Sequence, residues 1–220
     1  ATAGKVAVAG VAAGATAIGA LGAKAVAAYA DYEQLVGGVE TLFKDSQDQV
    51  MDYANNAYKT AGLSANEYME TVTSFSASLL QSLDGDTSAA ADKANLAITD
   101  MSDNANKMGT DMTSIQNAYQ GFAKANYTML DNLKLGYGGT QAEMERLLAD
   151  AEKISGIKYD ISSYADIVDA IHVVQTEMGI TGTTAEEAAS TIQGSFGMMK
   201  SAWQNLVTGM ADPDQDLGVL

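Results

Sequence analysis

The chain has 220 residues, enough for one or two domains, with 21 glycines, one proline and no cysteine. Without cysteine, disulfides, thiolate nucleophiles and zinc–thiolate sites are excluded. A formal net charge of −16 argues against specific nucleic-acid binding, because phosphate affinity comes largely from Lys and Arg.

The first segment differs from the rest. Val6 to Ala23 (VAVAGVAAGATAIGALGA) carries no charge and is flanked by Lys5 and Lys24. As a helix it reaches roughly 27 Å, just enough to cross a hydrocarbon core. Val6, Val8, Val11, Ile18 and Leu21 are its larger apolar residues and the candidates for a membrane segment. The remainder is mostly alanine and glycine, and Gly10-x-x-x-Gly14 permits close helix approach. Three readings stand: a helix packed against copies of itself, a segment that inserts into a bilayer conditionally, and a signal peptide ending near Ala28-Tyr29-Ala30. The scarcity of leucine and the position of Lys24 weigh against the last.

From Tyr29 a seven-residue rhythm begins. Tyr29, Tyr32, Val36, Val39, Phe43, Val50, Tyr53 and Ala57 alternate spacings of three and four, with Ser46 the polar exception. That pattern predicts a coiled-coil seam or a bundle helix, weakened by Gly37-Gly38. Ser64-x-x-Glu67 is a capping box and predicts a helix over 65–83, with Tyr68, Val72, Phe75 and Leu79 on one face. Asp84-Gly85-Asp86-Thr87 reads as a turn. A long helix is predicted over 88–107, with Ala91, Leu96 or Ala97, Ile98, and Met101 or Ala105 inward. Gly109-Thr110 ends it. Met112, Ile115, Tyr119, Phe122 and Tyr127 mark the next helix.

The stretch DNLKLGYGGTQAEMERLL (131–148) holds Gly136, Gly138 and Gly139 ahead of Thr140. It is not a phosphate loop. Gln141 follows where a Walker lysine would stand, no alternating strand precedes it, and Glu143 and Glu145 repel anions. Thr140-x-x-Glu143 is instead a second capping box, before a helix with Met144, Leu147, Leu148, Ala151 and Ile154 inward and Gly156 at its end. Ser163-x-x-Asp166 opens a further helix with Tyr164, Ile167, Val168, Ile171, Val174 and Met178 inward, stopped by Gly179. Thr183-x-x-Glu186 opens the last, running through Trp203 towards Gly209. Caps and glycine stops agree on an all-α class, either a compact bundle or an extended rod. Residues 1–30 form the apolar unit, 31–209 the helical region, and 210–220 a tail. The Ala-Thr-Ala start and Gly-Val-Leu end read as those of a fragment.

No catalytic, cofactor or metal residues stand out. His172 is the only histidine and lies beside the Ile171 stripe, so it reads as a half-buried or surface side chain. Glu143 and Glu145 fall on different helix faces and make a poor acid–base pair. Glu177, Glu186 and Glu187 read as a solvated cluster. Asp84-Gly85-Asp86 lacks the other ligands of a calcium loop, and no Gly-x-Ser-x-Gly elbow occurs. Phe196, Met198, Met199, Trp203 and Leu206 form an adaptable apolar face, either core or a docking face for another copy or component.

Met101–Leu148 (MSDNANKMGTDMTSIQNAYQGFAKANYTMLDNLKLGYGGTQAEMERLL) resembles the tail tape measure proteins of long-tailed phages infecting Gram-positive bacteria. LVGGVETLF (35–43), SSYADIVDAIHVVQ (162–175) and SFGMMKSAWQNL (195–206) are similar too, so the resemblance covers roughly 32–209. It implies a helical, non-enzymatic virion protein in the tail lumen. Such a chain packs beside copies of itself against tail tube and tail-tip proteins, sets tail length, and is released at infection to help DNA cross the host envelope. Two other classes remain open: a pore-forming or membrane-disrupting helical protein, and part of a cell-wall hydrolase.

Overall fold

The computed structural model describes residues 27–190 and 192–209. The candidate membrane residues Val6, Val8, Val11, Ile18 and Leu21, and the tail at 210–220, lie outside the described residues. Within them the regular structure is all helical. Helix α1 covers 27–43, followed by α2 (Gln47–Thr60), α3 (Ala65–Ser82), α4 (Thr87–Met108) and α5 (Met112–Phe122). Then come α6 (Gln141–Ser155), α7 (Tyr164–Glu177), α8 (Thr183–Ser190) and α9 (Ile192–Gly209). Two 3₁₀ turns, Lys44–Ser46 and Leu130–Leu133, complete the order.

The seven-residue rhythm does not continue as one helix. Lys44 takes a left-handed conformation (φ 48°), and the 3₁₀ turn at Lys44–Ser46 breaks α1 from α2. Val39, Phe43, Val50 and Ala57 still reach the core, from two helices rather than one. Gly37 and Gly38 stay helical.

Local capping sets most other boundaries. Ser64 closes a complete box: its hydroxyl accepts from Glu67 N–H (3.4 Å), and its own N–H donates to Glu67 Oε2 (2.8 Å). Ser163 accepts from Asp166 N–H (3.2 Å). Asp86 and Asp111 cap α4 and α5 by accepting from Ala89 and Ser114 N–H (2.9 and 3.0 Å). Each such cap contributes about 1 kcal/mol. Gly109 and Gly156 supply the left-handed stops after α4 and α6.

The glycine loop before α6 departs from the predicted box. Thr140 accepts from Glu143 N–H (3.2 Å), but Glu143 Oε2 turns back to Gly138 N–H (2.9 Å). Thr140 N–H donates instead to Gly138 O (3.0 Å). Arg146 ties the loop down, donating to Gly136 O (2.7 Å) and Glu143 Oε2 (2.6 Å) while covering the Tyr137 ring. Gly139 is required sterically: a Cβ there would sit 2.2 Å from Thr128 O.

The buried apolar side chains from Val39 to Ile180 form one connected core. α3 presents Tyr68, Val72, Phe75 and Leu79 to it, as the spacing predicts. Each large side chain so buried stabilises by about 1.5–3 kcal/mol. α4 lies at the centre, in contact with α2, α3, α5, α7 and α8. Its inward face begins with Ala90, Ala91, Ala94 and Ala97, so neighbours approach closely while each residue buries little area. Of the predicted alternatives, Ala97 and Met101 are buried, while Leu96 and Ala105 are half-buried. Ile154 and Met178, predicted inward, are exposed, the first in the last turn of α6 and the second as the C-cap of α7. Tyr127 is buried from the loop after α5, its hydroxyl donating to Ile161 O (3.2 Å).

Candidate functional site: the α9 face and the polar hub of α4

The predicted docking residues divide. Met199 (58% exposed) and Trp203 (55%) point outward from α9, one helical turn apart. Met198 and Leu206 are half-buried; the side chain of Phe196 lies outside the described ones. The reading of this face as bundle core is therefore corrected for Met199 and Trp203. Two polar side chains of α9 bond back to the start of α3. Buried Ser201 donates to Gly62 O (2.9 Å), and Asn205 Oδ1 accepts from Ala65 N–H (2.9 Å). Beside Trp203, residues of α1, α3 and α9 line an open groove of about 430 Å³, with Asp31 and Glu67 on its rim.

The second feature is a polar hub at the C-terminal end of α4. Five consecutive residues, 100–104, are buried, and all but Met101 are polar: Asp100, Ser102, Asp103 and Asn104. Each reaches a different part of the fold. Asp100 pairs with His172 Nδ1 on α7 (2.9 and 3.0 Å to its two oxygens). Ser102 donates to Ala61 O after α2 (2.8 Å). Asp103 accepts from the N–H groups of Gly182 (2.6 Å) and Thr184 (2.8 Å), capping α8. Asn104 Nδ2 donates to Leu133 O (2.9 Å) and Gln175 Oε1 (3.0 Å). An ion pair between Lys93 and Asp169 extends the α4–α7 seam.

Asp103 replaces the predicted cap of α8. Thr183 lies inside the helix, and its hydroxyl donates to Ile180 O (2.8 Å). An N-terminus needs acceptors for its first N–H groups, and a carboxylate also suits the positive end of the helix dipole. Here the acceptor comes from another helix.

The Asp100–His172 pair has defined electrostatics. Asp100 is 1% exposed, and burial pushes its carboxyl up, opposed by the bond from His172. His172 is raised from its ordinary 6.5, first by that bond and against partial burial. Neutral imidazole must carry its proton on Nδ1 to keep the contact. The pair joins α7 to α4. Among the described residues no three His, Cys, Asp or Glu side chains group as metal ligands, and no helix is long and apolar enough to cross a membrane.

Reading the sequence missed this hub. A signal was available: Asn104 falls on the helical stripe of Ala94, Ala97 and Met101, where a polar residue points inward. Fold and hub together define an all-α protein whose central helix is polar at one end. Compared with family models, curated proteins and solved structures, the chain matches none.

Proposed function

We propose that this chain is part of a phage tail tape measure protein, acting in the tail lumen through length, packing and release. The observation that carries the reading is the resemblance across 32–209, centred on Met101–Leu148. The all-helical regular structure of the described residues supports it, because helix length grows linearly with residue number, about 1.5 Å each. So does the alanine-lined face of α4, which makes a core of modest depth, suited to a chain that must repack on release. Met199 and Trp203 present an apolar face to copies of the chain, to the tail tube protein or to tail-tip proteins. The apolar run 6–23 is assigned to a later encounter with the host membrane, after confinement is lost.

The test is an in-frame deletion of codons 31–209 from the full gene, with tails measured by electron microscopy. Tails should shorten by up to about 270 Å, at 1.5 Å per helical residue. Tails of unchanged length would remove the ruler role of this region.

A further inference from the structure

Both ends of the described fold are fastened to a single turn. In the first turn of α3, Asn66 Nδ2 donates to Ala28 O of α1 (3.1 Å). One residue earlier, Ala65 N–H donates to Asn205 Oδ1 of α9 (2.9 Å). Ser201 Oγ adds a bond to Gly62 O (2.9 Å), just before that turn. Ala28 and Asp31 of α1 share the groove there with Val207 and Thr208 of α9. The chain therefore comes into the fold and leaves it side by side, although positions 28 and 208 are most of its length apart.

Adjacent ends have a mechanical consequence. While folded, the segment adds almost nothing to the distance between its flanks. Laid out as continuous helix, the same residues would reach about 270 Å. A pull on the flanks meets the α3 turn first. It loads the few bonds there in succession, ahead of the apolar core. Those bonds are directional hydrogen bonds at a half-exposed surface, each of which can be removed singly. Trp203 lines the groove beside them but stays 55% exposed, so it adds only partial apolar burial to these bonds.

We propose that the fold is a length reservoir. It stays short while closed and opens from the clasp on α3 when its flanks are drawn apart, handing its contour to the chain. Use of the reservoir in a tail rests on the tape-measure reading; its mechanics do not.

Cysteines introduced at Ala27 and Thr208 of the 220-residue chain give unique attachment points, since the chain has none of its own. Energy transfer between dyes at the two positions should be nearly complete in native buffer. Transfer near zero, as a continuous helix of about 270 Å would give, overturns the proposal. Pulled between the same positions, the chain should lengthen by about 600 Å on opening, at ~3.3–3.6 Å per residue. Asn66→Ala and Asn205→Ala should each speed opening at fixed force by about 2–10-fold, the loss of one hydrogen bond, with the same final length. Opening rates unchanged in both variants, with helix content retained, would also overturn it. Should Asn205→Ala fail to fold, Asn66→Ala carries the same readout, and the dye pair in the otherwise unaltered chain decides the geometry alone. Low transfer sinks the reservoir and leaves the tail reading standing; unchanged tail length after deletion does the reverse.

Discussion

The region from α2 to α7 and the region from α8 to α9 are held by different forces. The first is joined by a continuous apolar core in which Phe75, Leu79, Ile98, Ile115 and Ile171 are buried together. Among the described residues the second is tied on by specific polar groups: Asp103 on the start of α8, Ser201 on Gly62, Asn205 on Ala65. Two of its large apolar side chains, Met199 and Trp203, are exposed. Apolar burial is non-directional and spread over many contacts, so losing one contact leaves the rest. Polar attachment is concentrated in a few bonds with fixed geometry, and each can be removed singly. The contrast makes α8–α9 the part of the molecule whose attachment a single substitution can weaken most directly.

Five substitutions break or sharpen that contrast, in descending order of effect. Gly139→Ala strikes the first region where no side chain can yield, because the new methyl meets backbone oxygen. A loss of about 3 kcal/mol is expected in denaturant unfolding, in the range of severe overpacking. A loss below about 0.5 kcal/mol would show that the loop shifts freely.

Asp103→Ala strikes the attachment of α8. Two backbone N–H groups lose a charged acceptor, costing about 2–3 kcal/mol. Hydrogen exchange should show early loss of protection at 182–184 while α3 stays protected. Uniform loss across both regions would erase the distinction drawn between them.

His172→Gln acts within the α4–α7 seam and carries a pH signature. Around His172 stand Asp100 and Lys93 from α4 and Asp169 from α7, and Asp103 lies near Asp100. The folded state holds the His172 proton more tightly than the unfolded chain. Its stabilisation is therefore fully present below about 6.5 and is lost as pH rises through the raised folded value. Asp100, also raised, contributes with the same sign from 3.8 upward. Thermal stability should fall between pH 6 and pH 9 by no more than about 1.4 kcal/mol per pH unit for one proton. With no cysteine and one histidine, the chain has few other groups titrating there, so His172→Gln should flatten the profile. At pH 6 that variant should also lose about 2 kcal/mol, since Asp100 keeps its burial and loses its partner. A variant with the wild-type slope would assign the dependence to other groups.

Trp203→Ala and Met199→Asp should change stability least, within about 0.5 kcal/mol, because both side chains are exposed. Their effect is expected in assembly: fewer complete tails, or weaker self-association of the isolated chain by sedimentation. Normal assembly with either variant would remove the docking role of this face.

Much of the local structure was legible in the sequence. Ser64 and Ser163 start their helices, Gly109 and Gly156 follow the ends of theirs, and the faces of α3 and α7 follow 3.6-residue spacing. These depend on neighbours a few positions away, which the sequence displays directly. Even so, Asp86 and Asp111 were passed over as caps, and Lys44 broke a rhythm that sequence alone carried through.

The candidate site was less legible. The outward turn of Met199 and Trp203 depends on where Ser201 and Asn205 find partners, at Gly62 and Ala65, far away in the chain. Asp100 meets His172, and Asp103 meets Gly182 and Thr184, only because α7 and α8 both pack on α4. Chain spacing determined the helices, their caps and their apolar stripes, because backbone hydrogen bonding closes within a turn. Which helix supplies a cap to another, which acid is buried beside the one histidine, and that both ends meet on the first turn of α3 were decided by packing. Those are contacts between residues that only the folded core brings within bonding distance.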